Sequence, residues 1–87
     1  MPPAPDVSRP LNDRALRYFL AVVRLGSIRA AAEALHVAPS AISRQIAELE
    51  AGCGALLLER LPRGVVATEA GRLVAEHAQR QQDEATA

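Results

Sequence analysis

The stretch VAPSAISRQIAELE, Val37–Glu50, decides how this chain is read. Pro39 suits the first position of a helix, where its missing N–H would have no partner. Taking about 100° per residue, Ile42, Ile46, Leu49 and Cys53 fall within about 60° of one another. Ser40, Ser43, Arg44 and Ala47 fall on the other side. A surface helix usually covers that side with charged residues. Here it is small and polar with one guanidinium, which predicts an outer face that something large can approach closely.

The flanking segments supply the frame for this helix. Asn12 reads as an N-cap, with Asp13 in the first turn where the helix dipole favours an acid. Leu11 is placed to staple onto Leu16, and Leu16, Phe19, Leu20 and Val23 form one apolar stripe. Gly26 ends this first helix, and Ser27 caps a second. In the second helix Ile28, Ala31, Ala32 and Leu35 face inward, and it stops near His36. The turn "HVA" then leads into Pro39.

Gly52 and Gly54 are expected to break the third helix. The run LLLER, the turn LPRG and the return VVA predict a two-stranded hairpin. Thr68 caps a fourth helix, with Glu69 in its first turn, and this helix is expected to reach about Gln82 before a frayed polar end. Its stripe is Ala70, Leu73, Val74 and His77. Residues 1–10 hold four of the six prolines and are expected to be a disordered arm.

Two short helices joined by a tight turn form a helix-turn-helix, and a hairpin directly after makes it a winged one. The fold class is therefore mainly α: a three-helix core, a two-stranded wing and a C-terminal linker helix. The expected divisions are an arm over 1–10, the winged helix-turn-helix over 11–67 and the linker or dimerisation helix over 68–87.

Composition limits what such a domain can do. Eighty-seven residues leave room for one small core. Ten basic against ten acidic residues argue against a general polyanion binder. Every basic residue is Arg, and between Arg24 and Ala47 three arginines face one glutamate. Arginine is the better side chain for forked contacts to phosphate and guanine. Cys53 is alone, which excludes an internal disulfide and a cysteine-based metal site. His36 and His77 lie far apart with no carboxylate or Cys at ligand spacing, so no metal is expected. No nucleophile elbow or Gly-rich phosphate loop is present, so neither catalysis nor a cofactor is expected. The opening residues lack the basic and apolar regions of a signal peptide, and no apolar run approaches the ~20 residues of a membrane span. A cytoplasmic protein is expected.

The segments LRYFLAVVRLGSIRAAAEALHVAPSAISRQIAELE and LLLERLPRGVVATEAG together resemble the N-terminal DNA-binding domain of LysR-type transcriptional regulators, over about Leu11 to Ala78. The resemblance implies a sequence-specific DNA-binding domain of a bacterial regulator. Pro39, Ser40, Ser43 and Arg44 would meet base edges in the major groove. Ser27 and Arg29 at the second helix, with Arg60 and Arg63 at the wing, would hold phosphate or enter the minor groove. Ala70, Leu73, Val74 and His77 would pair two copies on an inverted-repeat operator. The family's effector-binding domain is expected to be absent from this chain. Several positions depart from the family's usual residues: Arg29, Ala38 at the cap, Gly52 and Cys53, Leu58, and Pro62 in the wing. The alternative is a small helical protein–protein or dimerisation module without DNA binding, favoured by the near-zero net charge. Such a module should carry an apolar patch where Ser40, Ser43 and Arg44 lie.

Overall fold

Asp13–Leu25 form α1, the helix on which the rest of the domain is packed. The computed structural model describes residues 12–86; the expected N-terminal arm and the Leu11 half of the staple fall outside them. Asn12 caps α1 as predicted, its side-chain oxygen accepting from the N–H groups of Arg14 (2.8 Å) and Ala15 (3.2 Å). Gly26 closes α1 in the left-handed region, its N–H donating to the Val22 carbonyl. Ala15, Leu16, Phe19, Leu20 and Val22 are all buried. This is a wider arc than the predicted stripe: Val22 is fully covered and Val23 only half. The reason is tertiary, because α2 and α3, α4 and the wing all pack against this one helix.

Ile28–Leu35 form α2, and Pro39–Cys53 form α3. Ser27 caps α2 by accepting from the Ala30 N–H at 3.1 Å. Its small inner residues Ala31 and Ala32 are buried, with Ile28 and Leu35 half-covered beside them. The turn between the two helices is a Schellman motif: Val37 N–H donates to the Ala32 carbonyl and His36 N–H to that of Glu33. His36 holds the left-handed position of this motif, at φ 58°. It is therefore the turn residue that its place after Leu35 suggested.

The third helix runs through Gly52 and ends only at Gly54, which supplies the left-handed C-cap at φ 68°. The predicted break at Gly52 is corrected. A glycine inside a helix costs only about 1 kcal/mol relative to Ala, and continuing the helix brings Cys53 into the core beside Ile42, Ile46 and Leu49.

Leu58–Arg60 (β1) and Val65–Ala67 (β2) pair antiparallel, with Leu58 opposite Ala67, Glu59 opposite Val66 and Arg60 opposite Val65. Pro62 is accommodated in the turn, which is closed by a 3.0 Å bond from Leu61 N–H to the Gly64 carbonyl.

Glu69–Thr86 form α4. Thr68 caps it as predicted, accepting from Gly71 N–H at 3.0 Å, and its hydroxyl donates to the Leu56 carbonyl at 2.7 Å. The helix continues past Gln82 to Thr86, with Gln79 Nε2 donating to Asp83 Oδ1 at 2.9 Å. The stripe expected to pair two copies is partly covered within the chain itself. Val74 is fully buried, Ala78 is buried and Ala70 is half-buried, all within the chain's own core against α1. Leu73 stays 44% exposed. The sequence pattern showed an apolar stripe but not that the chain's own core already takes Val74.

Candidate nucleic-acid interface

On α3 the division into two faces is complete. Ile42, Ile46, Leu49 and Cys53 are buried, while Pro39, Ser40, Ser43, Arg44 and Ala47 are exposed. The inner residues hold the helix against α1 and α2. The outer ones make a shallow polar ridge in which Arg44 alone carries charge.

The start of α3 is open in a second sense. Ala38 stands at the N-cap and offers no side-chain hydrogen bond. Its carbonyl accepts from Ala41 and Ile42, and Pro39 has no N–H to satisfy. The Ser40 N–H and the positive end of the helix dipole therefore face outward. The departure at Ala38 leaves this end without a side-chain cap.

The N-terminus of α2 lies next to the wing. Ser27 uses its hydroxyl on Ala30 and its carbonyl on Ala31, leaving the N–H groups of Ile28 and Arg29 pointing along the helix axis. Arg29 is exposed. From the wing, Val65 N–H donates to the Gly26 carbonyl at 3.0 Å, one residue before Ser27. The exposed Arg63 stands two residues before Val65, at the tip, and Arg60 is exposed on β1. Val65 thus joins the wing to the start of α2, with Arg60 as its cross-strand partner and Arg63 two residues before it at the tip.

At its other end the wing is fixed through Leu57, which is fully buried. Its N–H donates to Glu50 Oε2 of α3 at 2.7 Å, and its carbonyl accepts from Thr68 N–H at 3.0 Å. Gly71 passes over the same carbonyl so closely that any Cβ would collide with it, and would stand a tight 3.3 Å from Ala67 Cβ. One backbone unit therefore ties α3, the wing and α4 together.

The family model described as "Bacterial regulatory helix-turn-helix protein, lysR family" matches residues 14–72. The chain belongs to this family. Among relatives it is similar to the nitrogen assimilation regulatory protein nac of Klebsiella aerogenes, 47% identical over 68 residues that cover 78% of this chain and 22% of that protein. It is also similar to the HTH-type transcriptional regulator TcbR of Pseudomonas sp. (strain P51), 48% identical over 67 residues, covering 77% of this chain and 23% of that one. Among solved structures, the CbnR_DBD–DNA complex superposes with a TM-score of 0.82 at 43% identity, covering 87% of each chain. The BenM_DBD/catB site 1 DNA complex gives a TM-score of 0.82 at 38% identity, covering 87% of this chain and 84% of that one. The chain thus spans 22–23% of the length of these two regulators and nearly the whole of these two solved domains. It has the mainly helical winged helix-turn-helix fold of lysR-family DNA-binding domains.

Within this lysR-family domain, three residues that matter to the site were not singled out from sequence: Glu50, Gly64 and Gly71. Each acts through backbone of a segment distant along the chain. The only local signals were an acid near the end of α3, a glycine in the wing turn and a glycine in the first turn of α4. His77 is half-buried on α4, His36 is exposed at the turn, and no group of three metal-ligating side chains occurs among the described residues. None of the described helices is long and apolar enough to cross a membrane.

Proposed function

We propose that this chain binds duplex DNA sequence-specifically as part of a bacterial transcription regulator. It acts by recognition, without catalysis, in the cytoplasm on the nucleoid. The observation that carries the reading is the outer face of α3: small, polar, exposed along Pro39, Ser40, Ser43, Arg44 and Ala47, and backed by a fully buried inner face. A ridge of this kind fits a major groove about 12 Å wide, where hydroxyls donate or accept and Arg binds guanine through two hydrogen bonds. The open first turn of α3, the N-terminus of α2 with Arg29, and the wing's Arg60 and Arg63 take phosphate or minor-groove contacts on either side. The similarity to solved domains complexed with DNA supports the reading of this chain as a DNA binder.

Two copies act together on an inverted repeat, because one module has little contact area and paired half-sites multiply affinity. With Val74 and most of Ala70 used inside the domain, the residues of the original stripe left for a second copy are Leu73 and, in part, His77. That surface is small against an association cost of about 4–15 kcal/mol, so DNA holds the pair together. The isolated chain is expected to be monomeric when dilute.

The test is a fluorescence titration against duplex DNA at several salt concentrations, with Arg44→Ala beside the parent. The parent should bind duplex and discriminate between sequences. The variant should keep its helical circular dichroism and lose about 1–3 kcal/mol of discrimination. An intact variant with the parent's discrimination would remove Arg44 from the reading face.

A further inference from the structure

We propose that Gly64 is a positioning residue for DNA: by having no side chain it seats the wing on the Gly26 carbonyl, and this seat sets where Arg63 stands relative to the N-terminus of α2. The inference rests on the reading of this face as a DNA-binding surface and adds to it the device that spaces two of its phosphate contacts.

The Gly26 peptide is held from both sides. Its N–H donates to Val22 at 2.8 Å within α1, and its carbonyl accepts from Val65 N–H at 3.0 Å within the wing. The next residue, Ser27, caps α2. No spare residue separates the α1 terminus, the wing seat and the α2 cap. Gly64 lies over the same carbonyl at φ +85°, and a Cβ built there would collide with the Gly26 oxygen and stand 3.5 Å from its carbon. Any side chain at 64 must therefore lift the tip away from the α1–α2 turn.

The tip has little else to hold it. The hairpin has three residue pairs, and Leu61, Pro62, Arg63 and Gly64 are all exposed. A hairpin of this size is marginal alone. The base of the wing is secured separately, through Leu57 to Glu50 and Thr68. Losing the seat should therefore move the tip and leave the base and the three-helix core in place.

Gly54 provides the control. It too has positive φ, +68°, but a Cβ there meets nothing within 4 Å. Gly54→Ala carries the backbone strain without the collision.

The experiment is a double-mutant cycle read by the dependence of duplex affinity on salt. In the parent, Arg63→Ala should lower the slope of log affinity against log salt by about one unit, as expected for one lost phosphate contact. Gly64→Ala should lower it by about the same amount and keep the parent's base preferences. Adding Arg63→Ala to Gly64→Ala should then change nothing further, because the contact is already gone. Gly54→Ala should keep the parent slope. If Gly64→Ala does not fold, a synthetic chain with an ester in place of the Gly64–Val65 amide removes the Val65 donor and weakens, without removing, the Gly64 carbonyl that accepts from Leu61, and it should show the same shallow slope. A parent slope in the Gly64→Ala or ester chain, an Arg63→Ala effect equal in both backgrounds, or no Arg63→Ala effect in the parent would each overturn the proposal. A parent that binds no duplex at any salt would instead overturn the DNA-binding reading, and this proposal with it.

Discussion

Two helices of this domain carry rows of small residues, and the rows end up in opposite surroundings. On α4, Ala70, Gly71, Val74 and Ala78 lie against α1 and the Leu57 backbone, and Gly71 is packed so tightly that no side chain would fit. On α3, Ser40, Ser43 and Ala47 lie beside Arg44 with nothing over them. Small side chains permit close approach in both places. What differs is polarity: the apolar row draws in the rest of its own chain, because burying it removes hydrocarbon from water, whereas hydroxyls and a guanidinium gain nothing from an apolar cover and stay available to a polar partner.

If this contrast is right, the largest effect should come from Gly71→Ala. Its methyl group would strike a backbone carbonyl that cannot move without disturbing Glu50, Thr68 and the wing. Overpacking of this kind should cost about 3 kcal/mol, which for a domain of this size lowers the melting temperature by more than ~12 °C. A thermal melt within a few degrees of the parent would show that α4 is not held against Leu57 as described.

A smaller effect separates the two sides of α4 itself. Val74→Ala removes buried hydrocarbon and should cost about 2 kcal/mol in denaturant unfolding. Leu73→Ala, on the exposed side, should stay within about 0.5 kcal/mol in the same measurement while weakening cooperative binding to a double DNA site. The reverse pattern would mean that the original assignment of the whole stripe to a second copy was nearer the truth.

The smallest effect should be a gain. His36 holds a left-handed conformation that costs an L-residue about 1–2 kcal/mol, against the roughly 0.5–1 kcal/mol of flexibility that glycine brings. His36→Gly should therefore stabilise the domain by about 0.5–1 kcal/mol in chemical denaturation and leave DNA affinity unchanged. A loss of stability would assign the imidazole a packing role.

What could be read from sequence was local. Asn12, Ser27 and Thr68 announce helix starts because their side chains satisfy N–H groups two or three residues away, and Gly26 and Pro39 act through their own backbone. The two faces of α3 followed from the helical period, since its inner side is covered and its outer side is not. What sequence did not reveal was long-range. Val22 and Ala78 are buried by helices far along the chain, and the Leu57 carbonyl decides why position 71 must be glycine. Gly52 misled because a breaker by composition is tolerated inside a helix that still has apolar surface to bury. The roles of Ser40, Ser43 and Arg44 toward a partner rest on family resemblance and exposure together, since exposure alone would suit any solvated helix.

Selection of bound sequences from a random duplex library, run in parallel with the parent and with Arg44→Ala, tests the central claim most directly. The parent should enrich an inverted repeat, and the variant should enrich the same repeat with preference lost at one base position in each half-site. No enriched sequence from the parent, or an unchanged motif from the variant, would contradict the reading of the α3 outer face as the surface that recognises DNA.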